Sequence, residues 1–381
     1  MQNGIDLVLT SPFLDNIKSL KIALVTNNAA KSADGLYSRN ALLENGFNIV
    51  KLFSPEHGLS TLGIDGEAQK DIKDDQTGLP VLSLYGNNIK PSIEDLMGID
   101  IVLFDIQDVG CRFYTYLWTL TYVMEACAAF GIKLIILDRP NPIGIDLSKS
   151  EGPYLDEEVC SSFIGRWSIP IRHSCTLGEL AVFFKSVKTP ALDLEIIKVK
   201  DYSRLQNSHV TITPWTPPSP AIRSQISAYL YPGLGLLEGI NVNEGRGTEN
   251  PFTICGAPFI DSKALMNELN LDGVEVRSIE YIPSEGLYAH EKCQGIKFTN
   301  IQIESILPVS VGLQLIKTMI KLYPDFITPR LYKTNVNPTG ENHLDRLIGL
   351  PGTFEKLSKP FVFETNIQKD WTNKIVPYQL Y

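Results

Sequence analysis

The candidate chemistry of this chain gathers in short polar segments, each directly following an apolar run. Ser54-Pro55-Glu56-His57-Gly58 sets a carboxyl beside an imidazole. Pro55 pushes Ser54 toward an extended conformation, and Gly58 permits a sharp turn. Neighbours in an extended stretch point to opposite faces, so only one of the pair is expected to enter a shared crevice. A carboxyl set against apolar strands is poorly solvated, keeps its proton more readily and suits general acid work. The alternative is that Glu56 caps nearby amides and His57 fills a polar turn. Asp105-Ile106-Gln107-Asp108, with Arg112 and Tyr114 beyond, offers two carboxylates that could bind a metal, orient an arginine or bond sugar hydroxyls. Equally, Asp105 could cap the helix that follows, or pair with Arg112 or Arg139. Asp138-Arg139-Pro140-Asn141-Pro142 is a stiff turn, because its prolines fix φ and remove two amide donors. Arg139 and Asn141 are then held with little entropy to lose, toward a ligand or, for Arg139, against Asp105 or Asp138.

Three further segments carry polar groups. Thr26-Asn27-Asn28 follows the first apolar run. Arg172-His173-Ser174 lies just before a helix whose Thr176 and Glu179 have the spacing of a capping box, so Glu179 is read as a cap. Asn241-Val242-Asn243-Glu244-Gly245-Arg246-Gly247-Thr248 places Arg246 between two glycines, a composition suited to clasping an anionic or polyhydroxylated ligand. An ordinary turn with a surface Arg–Glu pair would read the same way. Aromatic residues stand near these motifs: Tyr85, Phe113, Tyr114, Tyr116, Trp118, Trp215, Tyr229 and Tyr231. Sugar rings pack on flat aromatic faces, although core packing explains most such residues. Trp215-Thr216-Pro217-Pro218 is the segment expected to form an exposed platform.

The elements that must position these groups are legible over the first 145 residues. Apolar, β-rich runs at 21–27, 47–53, 79–85, 100–105 and 132–138 alternate with helix-like stretches at 37–45, 93–97 and 115–129. Such alternation implies βαβ units and a parallel sheet. Ligands of open α/β sheets bind beyond the carboxyl ends of the strands, where four of the polar segments fall. The fold class is therefore α/β: a Rossmann-like doubly wound parallel sheet with a second, smaller α+β domain. Residues 1–150 are expected to form the Rossmann-like catalytic domain, and 151–381 a C-terminal domain completing the cleft. The latter shows a helix at 177–185, a strand at 194–199, an irregular stretch around 214–220, a strand-like GAPFI at 256–260, a helix at 262–269, strands near 274–282 and 295–301, and an amphipathic helix over 309–322.

Composition narrows the partners. With 44% hydrophobic and 20% charged residues in 381, the chain is an ordinary globular protein. A net charge of −9 disfavours phosphate backbones and anionic membranes. Neither nucleic acid nor membrane is expected as a partner. The turn after the first run has neither GxGxxG nor GxxxxGK[ST], so it lacks the glycines a pyrophosphate needs. Six cysteines without CxxC spacing and five histidines without HExxH supply few metal ligands, and no metal or cofactor is expected. The opening residues show no secretory pattern. The apolar stretch 116–130 is interrupted by polar residues and shorter than the ~20 that span a bilayer. The sequence as it stands reads as cytoplasmic, or as periplasmic or exported if an upstream segment was trimmed.

Taken together, LVTNN (24–28), LFSPEHG (52–58), TGLPVLSLYG (77–86), FDIQDVGCRFYTY (104–116), LDRPNPIG (137–144), EGP (151–153), IPIRHSCTLGELA (169–181), YPGLGLLEGINVNEGRGTENPF (231–252) and GAPFID (256–261) resemble the bacterial exo-β-N-acetylmuramidase family, long catalogued as a domain of unknown function. The match runs in order across nearly the whole chain. Two departures stand out: TNN where the family often has TNH, so Asn28 replaces a histidine, and RHSCT where RHGMT is usual. The resemblance implies a glycoside hydrolase that releases N-acetylmuramic acid (MurNAc) from the non-reducing end of peptidoglycan fragments by cutting its β-1,4 bond to N-acetylglucosamine (GlcNAc). It implies Glu56 as the catalytic acid and a muropeptide or MurNAc–GlcNAc disaccharide as substrate.

The expected catalytic set is Glu56, His57, Asp105 and Asp108. The expected substrate contacts are Asn28, Gln107, Arg112, Tyr114, Arg139, Asn141, Arg172, His173, Glu244 and Arg246. MurNAc carries a lactyl carboxylate, for which an arginine fork is the natural partner; Arg172, Arg246, Arg139 and Arg112 are the candidates. Two readings from other classes remain: a metal-dependent hydrolase built on Asp105, Asp108 and His57, and a non-catalytic binder of cell-wall fragments. For a hydrolase, participation of the substrate's acetamido group or an inverting water is expected, because Asp105 and Asp108 follow a different strand from Glu56.

Overall fold

The computed structural model describes residues 1–205, 211–359 and 367–381. Seven strands form the larger sheet: β1 (Ile22–Thr26), β2 (Ile49–Ser54), β3 (Ile72–Lys73), β4 (Pro80–Ser83), β5 (Ile101–Asp105), β6 (Lys133–Leu137) and β7 (Leu194–Ile197). Their spatial order is β3-β4-β2-β1-β5-β6-β7, parallel throughout except for β3 at one edge. Without β3, this is the doubly wound order in which the winding reverses between β1 and β5. Side chains of a strand alternate between its faces, and here they sort into two cores. Ala23, Val25, Val102, Phe104, Leu134 and Ile136 enter one, while Ile22, Leu24, Ile101, Leu103, Ile135 and Leu137 enter the other. Burial on both faces explains why β1 and β5 are apolar up to their last residues, Thr26 and Asp105.

The large sheet does not end at residue 150, where the sequence reading placed the boundary. β7 pairs in parallel with β6, from Leu134↔Leu194 to Leu137↔Ile197, and the helix Leu177–Val187 packs beside it. That helix opens with the expected capping box: the Thr176 hydroxyl accepts from Glu179 N–H, and the Glu179 carboxylate accepts from Thr176 N–H. The smaller sheet has three antiparallel strands, β8 (Ile254–Ala257), β9 (Glu275–Tyr281) and β10 (Cys293–Thr299), in the order β8-β10-β9. Helices Ser262–Glu268 and Pro308–Leu322 stand where the sequence reading put them. All six cysteines are buried and unpaired.

The sequence reading passed over the helix Gln225–Leu234, because it contains Pro232 and ends in a glycine-rich run. It crosses Pro308–Leu322 at backbone contact: a Cβ on Gly312 would overlap the carbonyl of Gly233, and one on Gly233 would overlap that of Pro308. The crossing positions Tyr231 and the short 3-10 turn Gly235–Gly239, both of which face the pocket described below. Two effects compete at Gly312. Alanine in a helix interior ordinarily gains about 1 kcal/mol over glycine, but overpacking a tight contact costs about 1–3 kcal/mol. The obstacle is rigid backbone, so the contact dominates. Gly312→Ala is expected to lower stability in urea denaturation, and a stabilised variant would contradict the crossing.

Candidate active site

β2 ends at Ser54, and the chain turns at once through Pro55 into Glu56 and His57. His57 sits in the left-handed region at φ 66° and Gly58 at 68°, which bends the segment back over the strand ends. Both side chains, rather than one, line the same pocket, together with Tyr85, Tyr114 and Tyr231. Glu56 is buried, and both its oxygens are engaged. Gly66 N–H donates to Oε1 at 2.8 Å, and the Thr115 hydroxyl donates to Oε2 at 2.8 Å. The Tyr85 hydroxyl is a further partner. A hydroxyl can donate or accept, so Thr115 and Tyr85 can remain partners when the carboxyl carries a proton. Thr115 is the N-cap residue of the helix Tyr116–Phe130, which follows β5, so Glu56, which follows β2, is held by a segment from a different strand.

His57 Nδ1 lies 2.9 Å from the Gly63 carbonyl, which assigns its proton to that nitrogen; Nε2 faces Asp65 at 3.5 Å. Burial lowers its pKa, although Glu56 pulls it up, so the ring is neutral at ordinary pH. The walls are aromatic. Tyr114 packs edge-on against Tyr116 and Tyr231, with centroids 4.7 and 5.8 Å away, and Tyr231 does the same against Phe252 at 4.7 Å.

At the mouth stands Arg246, at the junction with an open groove that also takes in Arg223, Glu249 and Glu285. It pairs with Asp65, with Glu238 at 2.6 Å and with Glu244 at 2.9 Å. Arg330 approaches Glu244 at 3.7 Å. Three carboxyls thus surround two guanidiniums. Arginine pairing favours the charged carboxylates, but one negative charge is in excess and the group is buried. Burial pushes Glu238 and Glu244 up, with Arg330 pulling both down and Glu56 pushing Glu238 further. One proton is therefore retained near neutrality.

The remaining residues read from the sequence do not converge on this pocket. Tyr114 lines it, but Asp105 is locked to Arg139, whose Nη2 donates to it at 2.9 Å, and to Ser38. Arg139 spends further donors on the Lys31 carbonyl and Ser38. Of the open alternatives for Asp105 and Arg139, the structure contains their mutual pair. Arg112 is fully buried and donates to four carbonyls, those of Pro153, Ile169, Leu347 and Ile348, at 2.7–2.9 Å. Arg172 is also in the core, bonded to the Ile143 carbonyl and the Tyr229 hydroxyl. Asp108, Arg139 and Asn141 face a separate small cavity under β5 and β6. Burial pushes Asp108 up to about 7, while burial and Arg172 push His173 down to about 3. Gln107 bonds the carbonyls of Asp108 and Pro140, Asn141 bonds that of Cys175, and Asn28 accepts from Arg39. Glu244 lies behind Arg246. Trp215 is half-buried, with its indole N–H on the Ile222 carbonyl, and is no platform for this pocket.

The sequence reading missed Asp65, Glu238, Tyr332, Asn337, His343 and Arg346, all of which line the pocket. Glu238 lay inside a quoted motif, six residues before Glu244, and could have been found there. The segment 332–347 has only a density of polar residues to mark it. Its Asn335 N–H donates to the Gly66 carbonyl at 2.8 Å, docking it on the loop that holds Glu56.

Fold and site together define a class: a doubly wound α/β protein whose carboxyl-bearing pocket at the strand ends is completed by a smaller domain. Within that class, family models described as exo-beta-N-acetylmuramidase NamZ, N-terminal and C-terminal, match residues 22–226 and 229–380. The chain belongs to that family. It is 40% identical over 329 residues to the peptidoglycan beta-N-acetylmuramidase NamZ of Bacillus subtilis (strain 168), covering 85% of this chain and 78% of that protein. It is similar to the crystal structures of two DUF1343 family proteins from Bacteroides fragilis NCTC 9343. One has a TM-score of 0.85 at 28% identity and the other 0.73 at 29%; each match covers 100% of this chain and 98% of the other. The seam between the matched models falls near the start of the helix Gln225–Leu234.

The shared proton gives stability a pH dependence. An unfolded glutamate releases its proton near 4.5, whereas burial in the folded state holds Glu238 well above that value. The folded state therefore binds more protons above 4.5, so this stabilisation is complete below 4.5 and is lost as pH rises through the raised folded value. One proton corresponds to at most about 1.4 kcal/mol per pH unit. Chemical denaturation from pH 5 to 8 is expected to show a shallower fall for Glu238→Gln than for the parent. Equal slopes would remove the shared proton.

Proposed function

We propose that this chain is an exo-acting glycoside hydrolase that releases non-reducing terminal N-acetylmuramic acid from peptidoglycan fragments by cutting its β-1,4 bond to N-acetylglucosamine. The observation that carries the reading is Glu56, held by donors on both oxygens in an aromatic-walled pocket of a chain belonging to this family. Glu56 donates its proton to the glycosidic oxygen as the bond to the anomeric carbon breaks, and GlcNAc leaves with that proton. Water then supplies hydroxyl to the anomeric carbon, and its second proton returns to the carboxyl. His57, neutral and fixed by the Gly63 carbonyl, and Tyr114 line the sugar's seat. The MurNAc–GlcNAc disaccharide is the minimal substrate, and a muropeptide is a larger one.

The strand order supports participation of the sugar's acetamido group or an inverting water. β1 lies between β2 and β5, so Asp105 starts about two strand spacings, roughly 9.6 Å, from the Glu56 strand, and Arg139 already holds it. The pocket's other carboxyls, Asp65 and Glu238, are paired to Arg246. The metal-hydrolase reading loses support for a geometric reason: Asp105, Asp108 and His57 do not share a cavity. Among the described residues, no helix is long and apolar enough to cross a membrane.

Glu56→Gln is expected to lose at least about 10²-fold in turnover of MurNAc–GlcNAc while its melting temperature persists, the usual worth of a positioned acid. Near-parental kcat, followed by mass spectrometry of the products, would overturn the assignment. Peptide mapping after incubation with a 5-fluoro MurNAc glycoside, which keeps the 2-acetamido group, is expected to find no labelled carboxyl. A glycosylated Asp or Glu would establish an enzyme nucleophile instead.

A further inference from the structure

The pocket wall carries two guanidiniums, and their circumstances differ. Arg246 is surrounded by Asp65, Glu238 and Glu244, which answer its charge within the protein. Arg346 has no such partner: among the described residues, no carboxylate reaches ion-pair distance of it and no side-chain hydrogen bond engages it. Its neighbour in sequence, Asp345, is turned away, and accepts from the backbone N–H of Gly352 and Thr353 at 2.8 Å each. Glu56 is held by Gly66 and Thr115. His343, one turn earlier on the same face of the helix His343–Ile348, is kept neutral by burial and by Arg330, its pKa pushed down to about 3. Among the described residues, this positive charge on the wall is thus left without a counter-charge.

Arg346 is only half-buried, yet its backbone is fixed. Arg112 donates to the carbonyls of Leu347 and Ile348, closing the end of the helix that carries it. The facing loop brings Ser162, whose hydroxyl is buried without a partner among the described residues, and the apolar side chains of Phe163 and Ile164. An unpaired guanidinium on a fixed stretch of backbone, beside an unspent hydroxyl and apolar walls, suits a small carboxylate with a methyl close by, since a planar fork recognises a carboxylate in two-point fashion.

This inference rests on the function proposed above. Of the two sugars flanking the scissile bond, only MurNAc carries an anion, on a lactyl group that pairs a carboxylate with a methyl. We propose that Arg346 receives the lactyl carboxylate of the terminal sugar and is what makes the pocket select N-acetylmuramic acid over N-acetylglucosamine. Arg112, Arg139, Arg172 and Arg246 are already engaged within the protein.

The test measures discrimination between the two sugars in the parent, Arg346→Ala and Arg346→Lys. One readout is the ratio of inhibition constants for free MurNAc and free GlcNAc; the other is the ratio of kcat/KM for their p-nitrophenyl β-glycosides. The parent is expected to favour MurNAc in both. Arg346→Ala is expected to reduce the preference about 10- to 100-fold, the span of a lost charge-assisted pair, mainly through KM, and Arg346→Lys to restore part of it. Arg346→Gln gives the same readout should the alanine variant fail to fold, as judged by its melting temperature. A folded neutral variant that keeps the parental preference overturns the assignment of Arg346. A parent that cleaves no MurNAc glycoside overturns instead the function on which it rests.

Discussion

The site depends on a cation that never meets its contents. Arg112 is fully buried, and burial pulls its pKa down to about 10, so it remains charged at any ordinary pH. A charge in that position is tolerable only when its donors are answered. Its two terminal nitrogens are answered by four carbonyls from three parts of the chain: Pro153, Ile169, and the adjoining Leu347 and Ile348. Three residues beyond Arg112 is Thr115, which holds Glu56; one residue before Leu347 is Arg346. A single guanidinium therefore sets the spacing between the carboxyl on one side of the pocket and the free cation on the other.

Around that anchor, the protein divides its charges into two kinds. The Asp105–Arg139 pair and the cluster about Arg246 satisfy themselves, and their task is to hold loops together in a weakly solvated place. Glu56 and Arg346 differ from these: Glu56 is held only by uncharged donors, and Arg346 has no counter-charge among the described residues. Buried ionic groups are costly when one partner is missing, so the self-contained pairs are also where substitution would disturb the fold rather than the contents of the pocket. This explains why a polar residue at a strand end is an ambiguous sign: stiffening the rim and doing chemistry on it call for the same residue types.

The sheet was legible because its evidence is local. Apolar, β-rich runs alternating with helix-like stretches marked five strands of the parallel sheet, and the turn at Pro55–Gly58 announced that something polar projected there. The direction in which each rim segment turns was not local. Asp108 and Asn141 follow their strands as Glu56 follows β2, yet they fold under β5 and β6 into a different cavity. The four arginines looked alike in sequence and differ only in what the tertiary structure sets against them. The sheet's continuation past 150 was not legible because the chain runs irregularly from Asp138 to Thr176 before returning with a helix and β7, and such an excursion resembles a linker. Up to Asn342 the segment 332–347 has no hydrophobic period, and only Leu344 and Leu347, with Ile348 beyond, mark the short helix His343–Ile348. It takes its shape from docking, so nothing short of the assembled fold could identify Arg346.

Gly66 connects these two kinds of information. At φ +74° it presents its N–H to Glu56 while its carbonyl accepts from Asn335, and a Cβ there would overlap Thr334. The carboxyl's setting is thus calibrated by residues encoded some 270 positions downstream. The two halves matched by the family models are consequently not interchangeable parts. A chimera joining the front of one relative to the back of another inherits both sets of motifs intact. It still misplaces the acid unless the loop at Gly66 and the segment at Thr334 have been shaped to each other, so divergence within such a family must proceed by paired change across that seam.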